Sequence, residues 1–279
     1  LGVAYHGRWQ DVGEFSVGVQ KVRYRKTISP PEELQIVTRA DPWLWNGTLA
    51  INLARGLVAY AGYTKGLEDS GVAPEIAVNR SEAPPALLTS QRDFGLRYAF
   101  GPMRAVVGAF DVRKPYFNLD PDLVYRQLGT VRHRGVEISL TGEPLKGLNV
   151  VAGAVLMKPR VTGSAVDLGL VGKKPVGQAE HTASLYMDYR LPWMSDLSLN
   201  LGIQHLGKRA GSVDNGLVIP GRTLVNLGGR YRFELRDLPA TFRLQLSNLF
   251  DTYAWDVTGG GGLRRVFPRR ANATLSVDF

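Results

Sequence analysis

The chain of 279 residues contains no cysteine. Its absence excludes disulfide bonds, thiolate catalysis and zinc sites built from cysteine, and it is compatible with any compartment. The histidines are few and far apart in sequence, without a metal-binding spacing such as H-x-x-x-H: His6, His133, His181 and His205. The sequence therefore predicts no enzyme, no resident metal and no cofactor.

Long apolar runs are also missing. Because no stretch of about 18 uncharged apolar residues occurs, a membrane-spanning helix is not predicted. Residues 1–10 resemble a strand rather than the basic and then apolar segment of a signal peptide. Hydrophobic residues make up 44% and charged residues 21%, and mean hydropathy is −0.10. These values exclude disorder but suit a membrane barrel, in which only alternate strand residues face lipid.

The charge is strongly positive, at +9, with 34 lysines and arginines. They are spread along the chain without a dense cluster, so nucleic acid is not a predicted partner. The positive charge is better explained by a basic barrel interior that attracts anionic ligands. The inward-facing arginines would supply this charge unless they pair with nearby carboxylates such as Asp188 and Glu137.

Strand-like segments of roughly ten residues repeat about thirteen times, with apolar and polar residues in alternation. The clearest case is the C-terminus, where Ala271, Ala273, Leu275, Val277 and Phe279 alternate with polar residues. Soluble and membrane barrels share this period, with the apolar face inward in one and outward in the other.

The connections distinguish the two. Short connections are predicted near 11–13, 55–56, 101–102, 143–147, 192–196 and 235–240. Long connections are predicted near 27–41, 66–88, 115–124, 159–178, 207–221 and 252–265. Regular alternation of tight turns and long loops is typical of outer-membrane barrels. We therefore predict an all-β, antiparallel transmembrane β-barrel fold.

Aromatic residues lie near the predicted strand ends, as the two interfacial belts of a membrane barrel would require. Near the short turns are Trp9, Phe15, Phe100, Trp193, Tyr231, Phe233 and Phe279. Near the long loops are Trp43, Trp45, Tyr63, Tyr116 and Tyr253. The simpler alternative is the general preference of aromatics for strands.

One strand conflicts with the simple pattern. Val136, Ile138 and Leu140 define an outward face that also takes in Arg132 and Arg134. An arginine on lipid at the bilayer midplane costs roughly 2–4 kcal/mol. Either the strand has left the membrane at this height, or a bulge near Gly135 exchanges its two faces.

An odd number of strands predicts that an N-terminal portion is missing. If Phe279 ends in the periplasm, the first of thirteen strands starts at the cell surface. Single-chain bacterial barrels have even strand numbers, and an open sheet would leave unpaired edges in lipid.

Several segments resemble TonB-dependent siderophore receptors. The most specific is LSNLFDTY at 246–253, which matches the family's N-L-F-D-x-x-Y pattern near the C-terminus. GTVRHRGVEISLTG at 129–142 matches a glycine-spaced strand of the family. Weaker resemblances are YTKGLE at 63–68, QRDFGLRY at 91–98, GQAEHTASLYMDY at 177–189 and the ending from 268 to 279.

The resemblance implies a 22-stranded barrel around an N-terminal plug in the Gram-negative outer membrane. Residues 1–279 would be a partial barrel domain containing roughly its last thirteen strands, without the plug, the TonB box and about nine strands. It implies uptake of a ferric siderophore, energised by the TonB–ExbB–ExbD complex. Outer-membrane lipid would be a further partner.

Two sets of residues are candidates for function. The aromatic-ended strand with Ala273, Leu275, Val277 and Phe279 resembles the signal read by the barrel assembly machinery, by edge pairing. Contacts to a ferric chelate by stacking, cation–π interaction and charge are predicted for residues in or beside long loops: Tyr116, Tyr125, Arg160, Tyr253 and Trp255. An interfacial belt or a solvated loop is the alternative role for each of these five.

Two other functions remain open from the sequence. One is a passive porin-type channel of the same architecture, and the other is a soluble β-rich binding protein. A cobalamin, haem or a sugar also remains open as the transported ligand in place of a ferric siderophore. All membrane readings require that Leu199, Leu244 and Leu275 do not pack together in a dry centre.

Overall fold

The computed structural model describes residues 1–29, 35–258 and 262–278. These residues form strands and one short helix. In chain order they are β1 (Gly2–Trp9), β2 (Gly13–Lys21), β3 (Tyr24–Ile28), β4 (Ile36–Ala40), β5 (Trp43–Ala54), β6 (Leu57–Glu68), β7 (Leu87–Phe100), β8 (Met103–Leu119), β9 (Tyr125–Leu145), β10 (Leu148–Thr162), α1 (Ser164–Asp167), β11 (His181–Arg190), β12 (Leu197–Leu206), β13 (Arg209–Ala210), β14 (Val218–Ile219), β15 (Arg222–Leu235), β16 (Leu238–Ser247), β17 (Trp255–Val257), β18 (Leu263–Arg265) and β19 (Arg270–Val277).

Thirteen strands form one sheet in the order β1-β2-β5-β6-β7-β8-β9-β10-β11-β12-β15-β16-β19. Every neighbouring pair is antiparallel, as in β1 with β2 and β16 with β19. The all-β class and the number of strands predicted from the sequence are confirmed. The remaining strands form the hairpins β3–β4, β13–β14 and β17–β18. Within the described ranges, no helix has the length and apolar character needed to cross a membrane.

The apolar face of the sheet is open. In the register, Leu199 lies opposite Gly229, and Gly229 lies opposite Leu244, so the three share one face. Leu199, Leu244 and Leu275 are 45%, 42% and 55% exposed. These side chains therefore do not meet in a dry centre, as the membrane interpretation requires. This face is called the outer face below, and the opposite one the inner face.

Short and long connections alternate along the sheet as predicted, with one exception. The connection predicted to be long near 115–124 has only five residues, 120–124, because β8 and β9 continue into it. The upper strand segments extend further than the sequence indicated. The predicted loop 27–41 contains most of the hairpin β3–β4, and predicted loops 115–124 and 159–178 begin inside β8 and β10. Tyr116, Val131 and Val161 pack in a buried cluster there, which supports the strands beyond the apolar band. The end of the sheet with long connections is called the loop end.

Arg132 and Arg134 lie on the outer face, and no bulge separates them from Val136. The pairing of β9 with β8 and with β10 is continuous through Gly135. Arg160 follows the turn residue Gly147 by thirteen positions. At ~3.3 Å per residue and a tilt of about 40°, it stands roughly 30 Å above that turn, beyond an apolar band about 25 Å tall. Of the two explanations, the structure supports a strand that has left the band.

Aromatic rings line both ends of the outer face. At the short-turn end Trp9 stacks on Phe15 with centroids 5.2 Å apart. Toward the loop end the Lys65 ammonium lies 4.2 Å from the centroid of Trp45. Tyr116 departs from the predicted belt, since it is buried on the inner side.

Gly135, from the glycine-spaced segment, allows a close approach of three strands. A Cβ at this position would lie 2.4 Å from the carbonyl oxygen of Leu156 and 2.8 Å from the ring of Phe110. Backbone would have to move to admit it, whereas a Cβ on Gly153 of the same face meets its nearest atom at 3.7 Å.

We expect Gly135→Ala to lower the free energy of unfolding by about 1–3 kcal/mol, because overpacking displaces backbone. Gly153→Ala is the matched control and should be neutral or slightly stabilising. Urea unfolding of the intact protein in detergent measures both. Equal effects of the two substitutions would contradict the close packing described at Gly135.

The N-L-F-D segment is a turn that ties β16 to β19. Asn248 has a positive φ of 51° and is 4% exposed. Its Oδ1 accepts the amide of Thr252 at 2.8 Å, and its Nδ2 donates to the carbonyls of Thr252 and Phe267 at 3.1 and 3.0 Å. Asp251 accepts the amide of Arg269 at 2.7 Å. The motif therefore specifies the entry into the last strand.

Candidate functional site

A cavity of about 950 Å³ lies at the loop end, where five of the connections at this end of the sheet converge. We call it the loop cavity. One representative residue from each connection is Ile76, Tyr125, Gln178, Ser212 and Val257. Its wall combines apolar side chains with scattered amides and hydroxyls, which is typical of small-molecule sites.

Tyr125 is the sequence candidate that lines this cavity. Asn79 fixes its backbone, since Oδ1 accepts the Tyr125 amide at 2.8 Å and Nδ2 donates to the Tyr125 carbonyl at 2.9 Å. Its ring packs on Phe117 with centroids 6.1 Å apart. Burial, with a smaller contribution from Tyr116, raises the pKa of Tyr125 above its ordinary value. The phenol therefore stays protonated at neutral pH and offers a hydrogen bond and a ring face.

A rigid turn precedes Tyr125. Asp120 is 6% exposed, and its Oδ1 accepts the amides of Asp122 and Val124, both at 2.9 Å. Its Oδ2 lies 2.6 Å from Nε of Arg126. The Val124 amide, followed by the Arg126 charge, holds the pKa of Asp120 below its usual range. The turn is thus stabilised by a carboxylate that remains charged.

Tyr116 lies beneath the cavity and is 9% exposed. Its hydroxyl accepts hydrogen bonds from Asn118 Nδ2 at 3.0 Å and from the Val176 amide at 3.4 Å. Both partners belong to residues that line the loop cavity. Tyr116 therefore joins the β8–β9 and β10–β11 connections, and its predicted ligand contact stays a prediction.

Tyr253 and Trp255 lie in the last long connection, at its hairpin β17–β18. Their rings meet edge to face at 5.9 Å, and the Arg265 guanidinium lies 4.6 Å from the centroid of Tyr253. Val257, on the same strand as Trp255, lines the loop cavity. The two aromatic residues are 62% and 39% exposed, so a ligand reaching this hairpin finds open ring surface.

A buried arginine joins the last two long connections. Arg209, 4% exposed, donates to Asp256 Oδ1 at 2.9 Å and to the Trp255 carbonyl at 2.6 Å. Arg222 Nη1 lies 2.6 Å from the same carboxylate oxygen, outside hydrogen-bond geometry. Burial lowers the pKa of Arg209, and Asp256 opposes that shift. This ion pair holds hairpin β13–β14 against hairpin β17–β18.

Arg160 is not part of the loop cavity. It lies on the outer face of β10, opposite Arg132 of β9, and lines a separate cavity. The five sequence candidates are therefore not brought to one place. The alternation of β10 itself carried this signal, because Arg160 has the same parity as the exposed Leu156.

Sequence reasoning missed Asn79, Asp120 and Arg209, which position the cavity wall. Only Asp120 carried a local signal, because Asp-Pro initiates turns. In the described part of the chain, no group of three His, Cys, Asp or Glu residues is arranged to hold a metal ion.

The last strand is an edge. Strand β19 pairs with β16, and no further strand of the described ranges covers its other side. Ala273 and Leu275 are exposed on the outer face and Val277 is half-buried. Phe279 lies outside the described residues. The open edge fits pairing with an assembly factor, which stays a prediction.

Comparison with known proteins gives consistent relatives. The family model described as TonB dependent receptor-like, beta-barrel, matches residues 5–249. The ferrichrome receptor FcuA of Yersinia enterocolitica is 25% identical over 228 residues, which are 79% of this chain and 30% of that protein.

Two solved structures share the fold. BauA, the ferric preacinetobactin receptor from Acinetobacter baumannii, has a TM-score of 0.79 and 26% identity, over 100% of this chain and 42% of that one. FyuA, the ferric yersiniabactin uptake receptor from Yersinia pestis, has a TM-score of 0.75 and 14% identity, over 100% and 45%. The chain spans less than half the length of these relatives. It belongs to the TonB-dependent receptor-like β-barrel family.

Proposed function

We propose that the chain is part of an outer-membrane receptor that takes up a ferric siderophore, with energy supplied through TonB–ExbB–ExbD. The loop cavity is the observation that carries this proposal. Its volume of about 950 Å³ suits a ligand larger than a simple ion, and five connections contribute to its wall. The relatives named as ferrichrome, preacinetobactin and yersiniabactin receptors support a ferric chelate as the ligand class.

Tyr125 is the contact we assign first. Its backbone is clamped by Asn79, so the ring is positioned before the ligand arrives. Because its pKa is raised, the phenol stays protonated and does not displace a chelate oxygen from the iron. It donates a hydrogen bond to an oxygen of the intact chelate instead. The chelate is therefore recognised whole.

Tyr253 and Trp255 are assigned the second contact, by stacking on a planar part of the chelate. Their exposed rings and the adjacent Arg265 supply an aromatic and cationic surface beside the cavity. Arg160 is left out of this assignment, because it faces the outer wall.

We expect Tyr125→Ala to weaken ferric chelate binding about tenfold, since aromatic and cation–π contacts are worth roughly 0.5–2 kcal/mol. Tyr125→Phe should weaken binding only about twofold to fivefold, because it removes one hydrogen bond with a net value of about 0.5–1 kcal/mol. Tyr98→Ala, on the outer face near a short turn, is the matched control. Fluorescence quenching of the intact protein by ferrichrome, a ferric catecholate and their iron-free forms measures the affinities.

Uptake of radioactive iron into cells that carry the intact protein tests the energy source. Collapse of the proton gradient should stop uptake while surface binding persists. Uptake that continues without the proton gradient would contradict the receptor proposal and support a porin-type channel. Binding of the chelates unaffected by Tyr125→Ala would remove the loop cavity as the ligand site.

A further inference from the structure

Basic residues gather on the outer face directly above the apolar band. Arg113 lies opposite Arg132, which lies opposite Arg160. One row nearer the band, Arg134 lies opposite Lys158. We call Arg113, Arg132, Arg134, Lys158 and Arg160, together with Lys173 and Lys174 of the β10–β11 connection, the outer basic cluster.

The carboxylates nearby do not neutralise the cluster. The Asp111 carboxylate is shared by three guanidinium groups. Its oxygens lie 2.8 Å from Arg132 Nε, 3.3 Å from Arg134 Nη2 and 3.6 Å from Arg113 Nε. In the ranges the structure describes, no carboxylate oxygen lies within ion-pair distance of Lys158, Arg160 or Lys173. Several positive charges are therefore left for an external anion.

The cluster surrounds a cavity of about 830 Å³. Its roof is fixed, because Asn215 accepts the Lys174 amide and donates to the Lys174 carbonyl, both at 2.8 Å. Six basic residues of the cluster line it, against the two carboxylates of Glu180 and Asp214.

Both carboxylates are already engaged. Lys174 lies 2.8 Å from Glu180 and lowers its pKa. The Ser212 hydroxyl donates to Asp214 at 2.5 Å and lowers the pKa of that group. The remaining cations surround space large enough for a phosphorylated headgroup.

The apolar surface beneath the cluster decides between a free anion and a lipid. Val136 lies two residues from Arg134, and Leu156 lies two residues from Lys158, on the same face. They are 42% and 58% exposed. Two strand residues span about 6–7 Å, so the apolar surface and the basic surface are close enough for one lipid molecule to contact both. A lipid whose acyl chains cover the apolar surface would place its phosphates at the outer basic cluster.

We propose that the outer basic cluster binds the phosphates of an anionic lipid in the leaflet that meets the loop end. This rests on the proposed outer-membrane location but not on the transported ligand. Guanidinium groups suit the site, because they bind phosphate oxygens in bidentate geometry and are weakly hydrated.

The test is lipid binding by the intact, detergent-purified protein, measured by native mass spectrometry and by titration calorimetry. The probes are diphosphorylated lipid A, the same lipid without phosphates, and inorganic phosphate. The variant is Arg134→Gln/Lys158→Gln/Lys173→Gln, whose residues are all exposed. The matched control is Arg55→Gln/Lys146→Gln/Arg236→Gln, at exposed short turns.

We expect the cluster variant to bind diphosphorylated lipid A at least tenfold more weakly, and the control to stay within twofold. Equal binding by both variants, or equal binding of the phosphate-free lipid, would overturn the proposal. So would inorganic phosphate binding as tightly as the lipid. Ferric chelate affinity should be unchanged in the cluster variant. If the wild type bound no ferric chelate, the proposed receptor function would be refuted, while the lipid site would still be supported by the lipid measurements.

Discussion

Asn248→Ala should lower the free energy of unfolding by about 3 kcal/mol, because it leaves three backbone groups without partners in a site that is 4% exposed. The amide and carbonyl of Thr252 and the carbonyl of Phe267 lose their bonds to the amide side chain. A positive φ of 51° adds a smaller cost for alanine. Urea unfolding of the intact protein in detergent, followed by tryptophan fluorescence, measures the loss.

Two further variants separate the causes. Asn248→Gly relieves the backbone strain but not the missing bonds, so it should recover only about 1 kcal/mol. Asn52→Ala removes one exposed bond to the Asp11 carbonyl at 3.2 Å and should cost less than about 1 kcal/mol. Full recovery by glycine would show that the turn depends on φ alone.

The strand pattern was predictable from the sequence because alternation reflects a physical boundary. Residues such as Leu199 and Leu244 face an apolar surrounding, while their chain neighbours face the inner side. Each of the thirteen strands crosses the same apolar band, so the weak alternation of each strand supports the same interpretation. The position of Arg132 on the outer face followed from the same parity.

The upper strand segments were harder to predict, since alternation stops where the apolar surrounding stops. Lys158 and Arg160 continue β10 on the outer face with charged side chains, so hydropathy there resembles a loop. The continued pairing of β10 with β9 to Thr162 depends on hydrogen bonds between strands, which one segment's composition does not reveal.

The candidate site was predictable only in part. Tyr125 was found because it is an aromatic residue beside a predicted long loop, but its clamp by Asn79 spans 46 residues. The Arg209–Asp256 pair spans 47 residues. Such contacts are set by how loops converge at the loop end. A single sequence gives no local signal for that convergence.

Leu201→Arg should lower the free energy of unfolding by about 2–4 kcal/mol, because it places a charge on the outer face at mid-height of β12. Leu201 lies opposite Met187 and Leu227, in the middle of the apolar band. Asn200→Arg is the adjacent control on the inner face, where the register sets it opposite Asp188. We expect that change to cost less than about 1 kcal/mol, since the new charge meets a carboxylate.

Urea unfolding of the intact protein in phospholipid vesicles measures both variants, and heat-dependent gel mobility reports the folded fraction. In detergent the difference should narrow, because a micelle deforms around a charge more readily than a bilayer does. If Asn200→Arg proved the more damaging change, the apolar face would not be the one that meets hydrocarbon. The outer membrane location would then lose its physical basis, and so would a lipid bound at Arg134 and Lys158.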